Sequence, residues 1–125
     1  MRTLEGHKVN PVNDLLLVEV LDEPGHGGAC HEYQITTPPP ASPAYLSRAW
    51  RISFQNGPIA EHGVNGVTHE ALLSILIDRL ECFQGGPFAN AYNAAALDHL
   101  RGAQSALQAR TLERMARGVE GTHQK

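Results

Sequence analysis

A chain of 125 residues has the length of one domain, enough to bury a core but not a large one. Its formal net charge of -3 excludes a general nucleic-acid coat, which needs a broad basic surface. Two cysteines, Cys30 and Cys82, make neither a CxxC pair nor a dense disulfide framework, so a reducing compartment is the simplest setting. The first residues, MRTLEGHKVNPVND, lack the apolar centre of a signal peptide. No stretch approaches the ~20 apolar residues of a membrane span. A soluble, cytoplasmic protein is expected.

The first half, residues 1–55, reads as β. DLLLVEV (14–20) is short and apolar, and the turn formers DEPGHGG follow it. CHEYQIT (30–36) alternates weakly. TPPPASP (37–43) excludes helix and central strand, because proline has no N–H to give and clashes with the preceding turn, so a loop is expected there. RAWRISFQ (48–55) sets Trp50, Ile52 and Phe54 against Arg51, Ser53 and Gln55, the period-2 pattern of a half-buried strand. Two or three antiparallel strands are predicted, with Trp50 and Tyr33 in the sheet core.

The second half, residues 56–125, reads as helix. NGPIAEHGVNG (56–66) is expected to be an ordered loop, with Asn56-Gly57 and Asn65-Gly66 in structural turns. Thr68 caps a helix, with Glu70 near the positive end of its dipole. Leu72, Leu73, Leu76, Ile77, Leu80 and Phe83 follow helical spacing to about residue 83, and Gly85-Gly86-Pro87 turns the chain. A second helix over about 88–117 carries the stripe Ala96, Leu97, Leu100, Ala103 and Leu107, and Gly118 ends it. The fold class is therefore α+β: a small N-terminal antiparallel sheet followed by a long αα-hairpin within a single domain, 1–125. A stripe built partly of alanine lets helices approach closely, and a hairpin has little interior of its own. A dimer packed through its helices is expected.

Arg110, Arg114 and Arg117 recur along one side of the second helix, ahead of the glycine-rich turn Gly118–Thr122. Cations near a helix C-terminus complement the dipole or pair with carboxylates such as Glu113. Guanidinium forks also suit pyrophosphate, and turns of this kind form anion-binding nests. The residues alone leave both readings open.

FQNGPI (54–59), GVNG (63–66), DRL-x-x-FQ-x-G-x-F (78–88), RT-x-x-R (110–114) and RGVEGTH (117–123) together resemble the phage anti-Thoeris signal-sequestering proteins, or sponges. The shorter anti-CBASS cyclic-nucleotide sponges are related to that family. The resemblance covers roughly residues 51–123, and the N-terminal β region is similar to the anti-Thoeris branch. It implies a non-catalytic binder without cofactor or metal, acting in the cytoplasm of the infected bacterial host. Such a binder forms a dimer or a hexamer and holds cyclic ADP-ribose isomers, together with cyclic trinucleotides and in some members cyclic dinucleotides. Neither DNA nor membrane is an expected partner.

Carried over by position, the resemblance implies that Phe83, Asn93, Arg110 and Arg114 contact the ADP-ribose-type ligand. It implies that Gly121 and Thr122, with Arg117, contact the trinucleotide. Relatives usually read Cys-Arg-Glu-Asn where this chain has Asn90-Ala91-Tyr92-Asn93, so Asn93 is kept and the arginine and glutamate are not. Phe83 would stack on a base, and Asn93 would read a base edge or ribose hydroxyl. Asn93 and Arg110 stand seventeen positions apart on one predicted helix, about 25 Å at roughly 1.5 Å per residue. A compact cyclic nucleotide reaches both only if they come from different subunits with antiparallel helices, which gives two equal pockets about a twofold axis.

Three other classes of function fit the residues less well, and a purely structural phage protein, one of them, leaves the arginine row unexplained. A signal-cleaving enzyme needs a nucleophile with its base or a metal cluster, and the seven histidines form no HExxH or comparable set. A small nucleic-acid-binding regulator needs a basic recognition helix, whereas the first helix sets Glu70, Asp78 and Glu81 against Arg79.

Overall fold

The computed structural model describes residues 1–37 and 48–125. The expected proline-rich loop, 37–43, lies outside the described residues apart from Thr37. The architecture is α+β, with a four-stranded antiparallel sheet followed by two long helices. The sequence predicts one domain; the described residues group into two compact units, Met1–Gly57 with Val64–Gly66 and Pro58–Gly63 with Val67–Lys125.

The first unit holds strands β1 (Arg2–Leu4), β2 (Leu17–Val20), β3 (Glu32–Thr36) and β4 (Ala49–Ser53), in that spatial order, with the short helix α1 (Pro11–Asp14) between β1 and β2. Four strands stand where two or three were predicted. β1 escapes sequence reading because Arg-Thr-Leu is too short to show a period. It is a strand because its backbone pairs with β2, Thr3 opposite Glu19. β2 and β3 pair with Val20 opposite Tyr33, and β3 and β4 with Tyr33 opposite Ile52. Val20 is fully buried, and Tyr33 meets Phe54 edge-on with ring centroids 5.5 Å apart. Trp50 is not a core residue: it is 44% exposed, because among the described strands β4 lies at the edge of the sheet, with a neighbour on one side only.

The Asn65 carboxamide closes this unit by accepting the Asn56 N–H at 2.8 Å and donating to the Asn56 carbonyl at 2.8 Å. Gly66 is required for closeness rather than for a positive φ, since a Cβ there would lie 2.4 Å from the Phe54 carbonyl carbon.

The second unit holds α2 (Ile59–His62), α3 (His69–Gln84) and α4 (Ala91–Ala116). α2 lies inside the stretch predicted as loop. One helical turn forms there between Pro58, whose fixed φ suits a helix start, and Gly63, whose φ of +67° ends it. The Thr68 hydroxyl accepts the Ala71 N–H and starts α3 as expected. α4 starts at Ala91 rather than near 88, because the Asn90 side chain accepts the Asn93 N–H at 2.8 Å.

α3 and α4 pack as the predicted hairpin around Ile77 and Leu97, both buried. Each such side chain contributes about 1.5–3 kcal/mol by leaving water. The α4 stripe is displaced from the predicted one. Leu97, Leu100, Gln104 and Leu107 face inward, whereas Ala96 and Ala103 are exposed. Gln104 takes an inward position because its amide donates to Ser74 Oγ at 2.8 Å and to the Glu70 carbonyl at 3.3 Å. Leu76, predicted inside, is 47% exposed.

Candidate functional site

The hairpin separates the candidate residues into two groups, one at each end of α4. At the end where α3 turns into α4, Phe83 lines an open groove of about 510 Å³ with Ile75, Asp78, Arg79, Cys82 and Phe88. Phe83 and Phe88 meet edge-to-face with centroids 6.4 Å apart. The Arg79 guanidinium stands 5.1 Å from the Phe83 ring centroid, a cation–π contact between i and i+4 neighbours. One side of the ring therefore already faces a cation.

Asn93 is half-buried in the first turn of α4, on the same side as Leu97. This end is tied by Gln84, whose carboxamide accepts the Asn90 N–H at 3.0 Å and donates to the Asn90 carbonyl at 3.1 Å. Arg79 and Asp78 were not among the sequence candidates. The i, i+4 spacing of Arg79 and Phe83 was the signal that could have found the first.

The opposite end of α4 is closed by its own tail. Gly118 adopts a φ of +73°, the Gly118 N–H reaches the Met115 carbonyl at 3.0 Å, and the Val119 N–H reaches the Arg114 carbonyl at 3.0 Å. That pair of bonds is a Schellman cap, and its buried apolar residue is Val119. The chain then turns onto α2. The Ala60 N–H donates to the Gly121 carbonyl at 3.3 Å, and His123 Nε2 pairs with Glu61 Oε1 at 3.0 Å. Gly121 has a φ of +79°, and a Cβ there would lie 2.9 Å from Ile59 Cγ1, so a larger residue would be strained and would push the Ile59 side chain aside. The Thr122 hydroxyl donates back to the Val119 carbonyl and accepts the Gln124 N–H at 3.2 Å.

The three arginines of this end differ in what they do. Arg110 is exposed and, among the described residues, carries no hydrogen bond or ion pair. Arg117 is exposed and pairs with Glu113 through both carboxylate oxygens, the bland role open to a helix-end arginine. Arg114 is only 12% exposed in its side chain. Its Nε donates to Glu120 Oε2 at 2.8 Å, Nη1 to the Gln124 carbonyl at 2.6 Å, and Nη2 to the carbonyls of Val119 at 2.9 Å and Thr122 at 3.3 Å.

The structure thus places Phe83 and Asn93 toward one end of the hairpin, with Phe83 but not Asn93 lining the groove, and Arg110, Arg114, Arg117, Gly121 and Thr122 toward the other. Within one chain it does not bring the two groups together. Among the described residues, no group of three or more His, Cys, Asp or Glu side chains is placed to hold a metal ion. No helix among them is long and apolar enough to cross a membrane.

Comparison with known proteins bears on this helical region. Residues 48–112 match the family described as Acb2/Tad1, hairpin domain. A protein of Bacillus phage SBSphiJ7 named Thoeris anti-defense 1 is 49% identical over 74 residues, a match that covers 59% of this chain. The match spans about half of that relative, 52% of its length.

Proposed function

The chain belongs to the Acb2/Tad1 hairpin-domain family, and on that premise we propose that it blocks Thoeris anti-phage defence in an infected bacterium by sequestering a cyclic nucleotide signal without altering it. The expected ligands are cyclic ADP-ribose isomers, with cyclic trinucleotides at a separate place. The name of the phage relative supports the defence-blocking part of this reading. The observation that carries the binding part is the division of candidate residues between the two ends of α4. An aromatic groove for a base lies toward one end and an uncommitted guanidinium for a phosphate toward the other, with Asn93 and Arg110 seventeen positions apart on α4, about 25 Å at roughly 1.5 Å per residue.

Two antiparallel copies would bring the Phe83–Asn93 end of one against the Arg110 end of the other, giving two equal pockets per dimer. Apolar side chains left in solvent on the hairpin support a second copy: Ile75, Leu76, Phe88 and Leu112 are all exposed. A ligand between two chains loses most of its water, and charge-assisted hydrogen bonds gain strength there. Nanomolar holding corresponds to about 12 kcal/mol, which an enclosed nucleotide with paired phosphates reaches.

The test is incubation of the full chain with cyclic ADP-ribose isomers and cyclic oligonucleotides, then filtration, then heat denaturation of the retained protein. Depletion from the filtrate with intact ligand recovered on denaturation is the expected result. A new product would make the protein an enzyme, and no depletion of any probe would overturn the binding reading.

A further inference from the structure

The Arg114 donors are almost fully used inside the chain. A guanidinium has five N–H donors. Four are engaged: Nε–H on Glu120, one Nη1–H on the Gln124 carbonyl, and both Nη2–H groups on the carbonyls of Val119 and Thr122. One Nη1–H is left. A bidentate grip on a phosphate takes two parallel donors, so Arg114 cannot offer it while the turn is in place. Arg110, one helical turn earlier, has all its donors available among the described residues.

We infer that Arg114 is a positioning residue, which holds the Val119–Gln124 turn closed over the end of α4 and thereby shapes the Gly121–Thr122 surface. Each of the four acceptors of Arg114 belongs to the turn. The same turn carries the Gly121 carbonyl that receives the Ala60 N–H. One side chain therefore fixes both the path of the tail and its seat on α2. The two arginines, similar in sequence, divide the work: one faces solvent for a ligand, and the other faces the protein.

The consequence is a coupling between sites, and it rests on the ligand reading proposed above. Removing Arg114 disorders the surface read for cyclic trinucleotides as well as removing one remaining contact from the ADP-ribose-type pocket. Removing Arg110 touches only the latter.

The experiment uses the full chain and the variants Arg114→Ala, Arg114→Lys, Glu120→Gln and Arg110→Ala. Amide hydrogen exchange is measured without ligand at Ala60, Val119 and Thr122, with the amides of Ile77 and Leu97 as the control for an intact hairpin. Arg114→Ala and Arg114→Lys should speed exchange at Val119 and Thr122 about tenfold or more, since the turn opens without its tie. Glu120→Gln should give a smaller acceleration, and Arg110→Ala none.

Binding is then measured with cyclic tri-AMP and with a cyclic ADP-ribose isomer. Cyclic tri-AMP affinity should fall in Arg114→Ala, Arg114→Lys and Glu120→Gln and hold in Arg110→Ala. Wild-type exchange rates in Arg114→Ala, or cyclic tri-AMP binding restored by Arg114→Lys, would overturn the positioning role, because lysine keeps the charge but not the fork. Failure of the wild-type chain to bind either probe overturns the proposed function and the coupling with it, whereas accelerated exchange in Arg114→Ala upholds the positioning role by itself.

Discussion

Both units leave apolar side chains in solvent, and they differ in what their paired charges hold together. In the sheet unit the carboxylate of Asp22 accepts the backbone N–H groups of His31 and Glu32, at 2.9 and 3.1 Å. The carboxylate of Glu32 accepts the Ser53 hydroxyl at 2.7 Å and Arg51 Nε at 3.0 Å. These two carboxylates hold strands and loop in register. The helical unit leaves Ile75, Phe88 and Tyr92 in solvent and Arg110 without a partner among the described residues. Unsatisfied surface of this kind is where a second copy and a ligand can still gain free energy. In the proposed reading, binding falls to the helices and a supporting role to the sheet.

The strongest way to break that assignment is to empty the hairpin core. Leu97→Ala removes a buried side chain from the α3–α4 interface and should cost about 2–5 kcal/mol. Thermal unfolding followed by helical circular dichroism should shift to lower temperature. Trp50, the single tryptophan, reports the sheet by fluorescence in the same sample. A larger shift in Trp50 fluorescence than in helicity would mean that the sheet, not the hairpin, depends most on Leu97.

Next in size is Arg110→Ala. Loss of a charge-assisted fork on a phosphate should weaken binding of an ADP-ribose-type ligand by about 1.5–3 kcal/mol, roughly 10- to 200-fold. The exposed position of Arg110 leaves unfolding unchanged, which calorimetry on the variant checks. Unaltered affinity by titration calorimetry would place the phosphates elsewhere.

The contrast between these two residues also shows what sequence makes legible. Leu97 is visible by its helical spacing, and the start of α3 by Thr68, because caps and periods are local. The exact stripe of α4 is not. Ala103 and Gln104 are adjacent, and the hydroxyl of Ser74, thirty positions earlier, with the Glu70 carbonyl makes the glutamine the inward one. Arg110 and Arg114 look alike in sequence for the same reason. Their difference depends on Glu120 and three carbonyls that reach Arg114 only after Gly118 has reversed the chain. Trp50 was misplaced because period 2 tells which side chains share a face, not whether the strand lies at an edge. Likewise β1 exists through pairing with β2, which no local pattern of three residues encodes.

A smaller effect probes the exposed face of the hairpin. Ile75→Ser takes an apolar side chain of 64% exposure out of the proposed contact between copies. It should weaken self-association by about 1 kcal/mol per side chain, roughly thirtyfold across a twofold interface where it counts twice. Sedimentation over a dilution series reads that shift, and helicity should stay as in the wild type. An unchanged dimer, or a monomer at every concentration in both proteins, would remove this face from the assembly.

The smallest effect belongs to the sheet, and its sign follows from the carboxylates. The N–H of His31, with that of Glu32, holds the Asp22 carboxyl below its ordinary value. The Ser53 hydroxyl, and after it the Arg51 guanidinium, does the same for Glu32. A carboxyl whose pKa is lower folded than unfolded stabilises the fold in its charged form. That contribution is whole above the ordinary carboxylate range, near pH 4, and is lost as pH falls through the depressed folded values. Urea midpoints followed by Trp50 fluorescence should therefore be level between pH 7 and about pH 5 and decline below it. Asp22→Asn removes one of these charges while keeping an acceptor oxygen, so its midpoint should be lower at pH 7 and its decline with acid shallower. Solvent screening keeps the difference small, because both carboxylates lie near the surface. A steeper acid decline in Asp22→Asn than in the wild type would mean that the ionised Asp22 is not what ties His31 and Glu32 to the turn, and the contrast with the helical unit would lose that support.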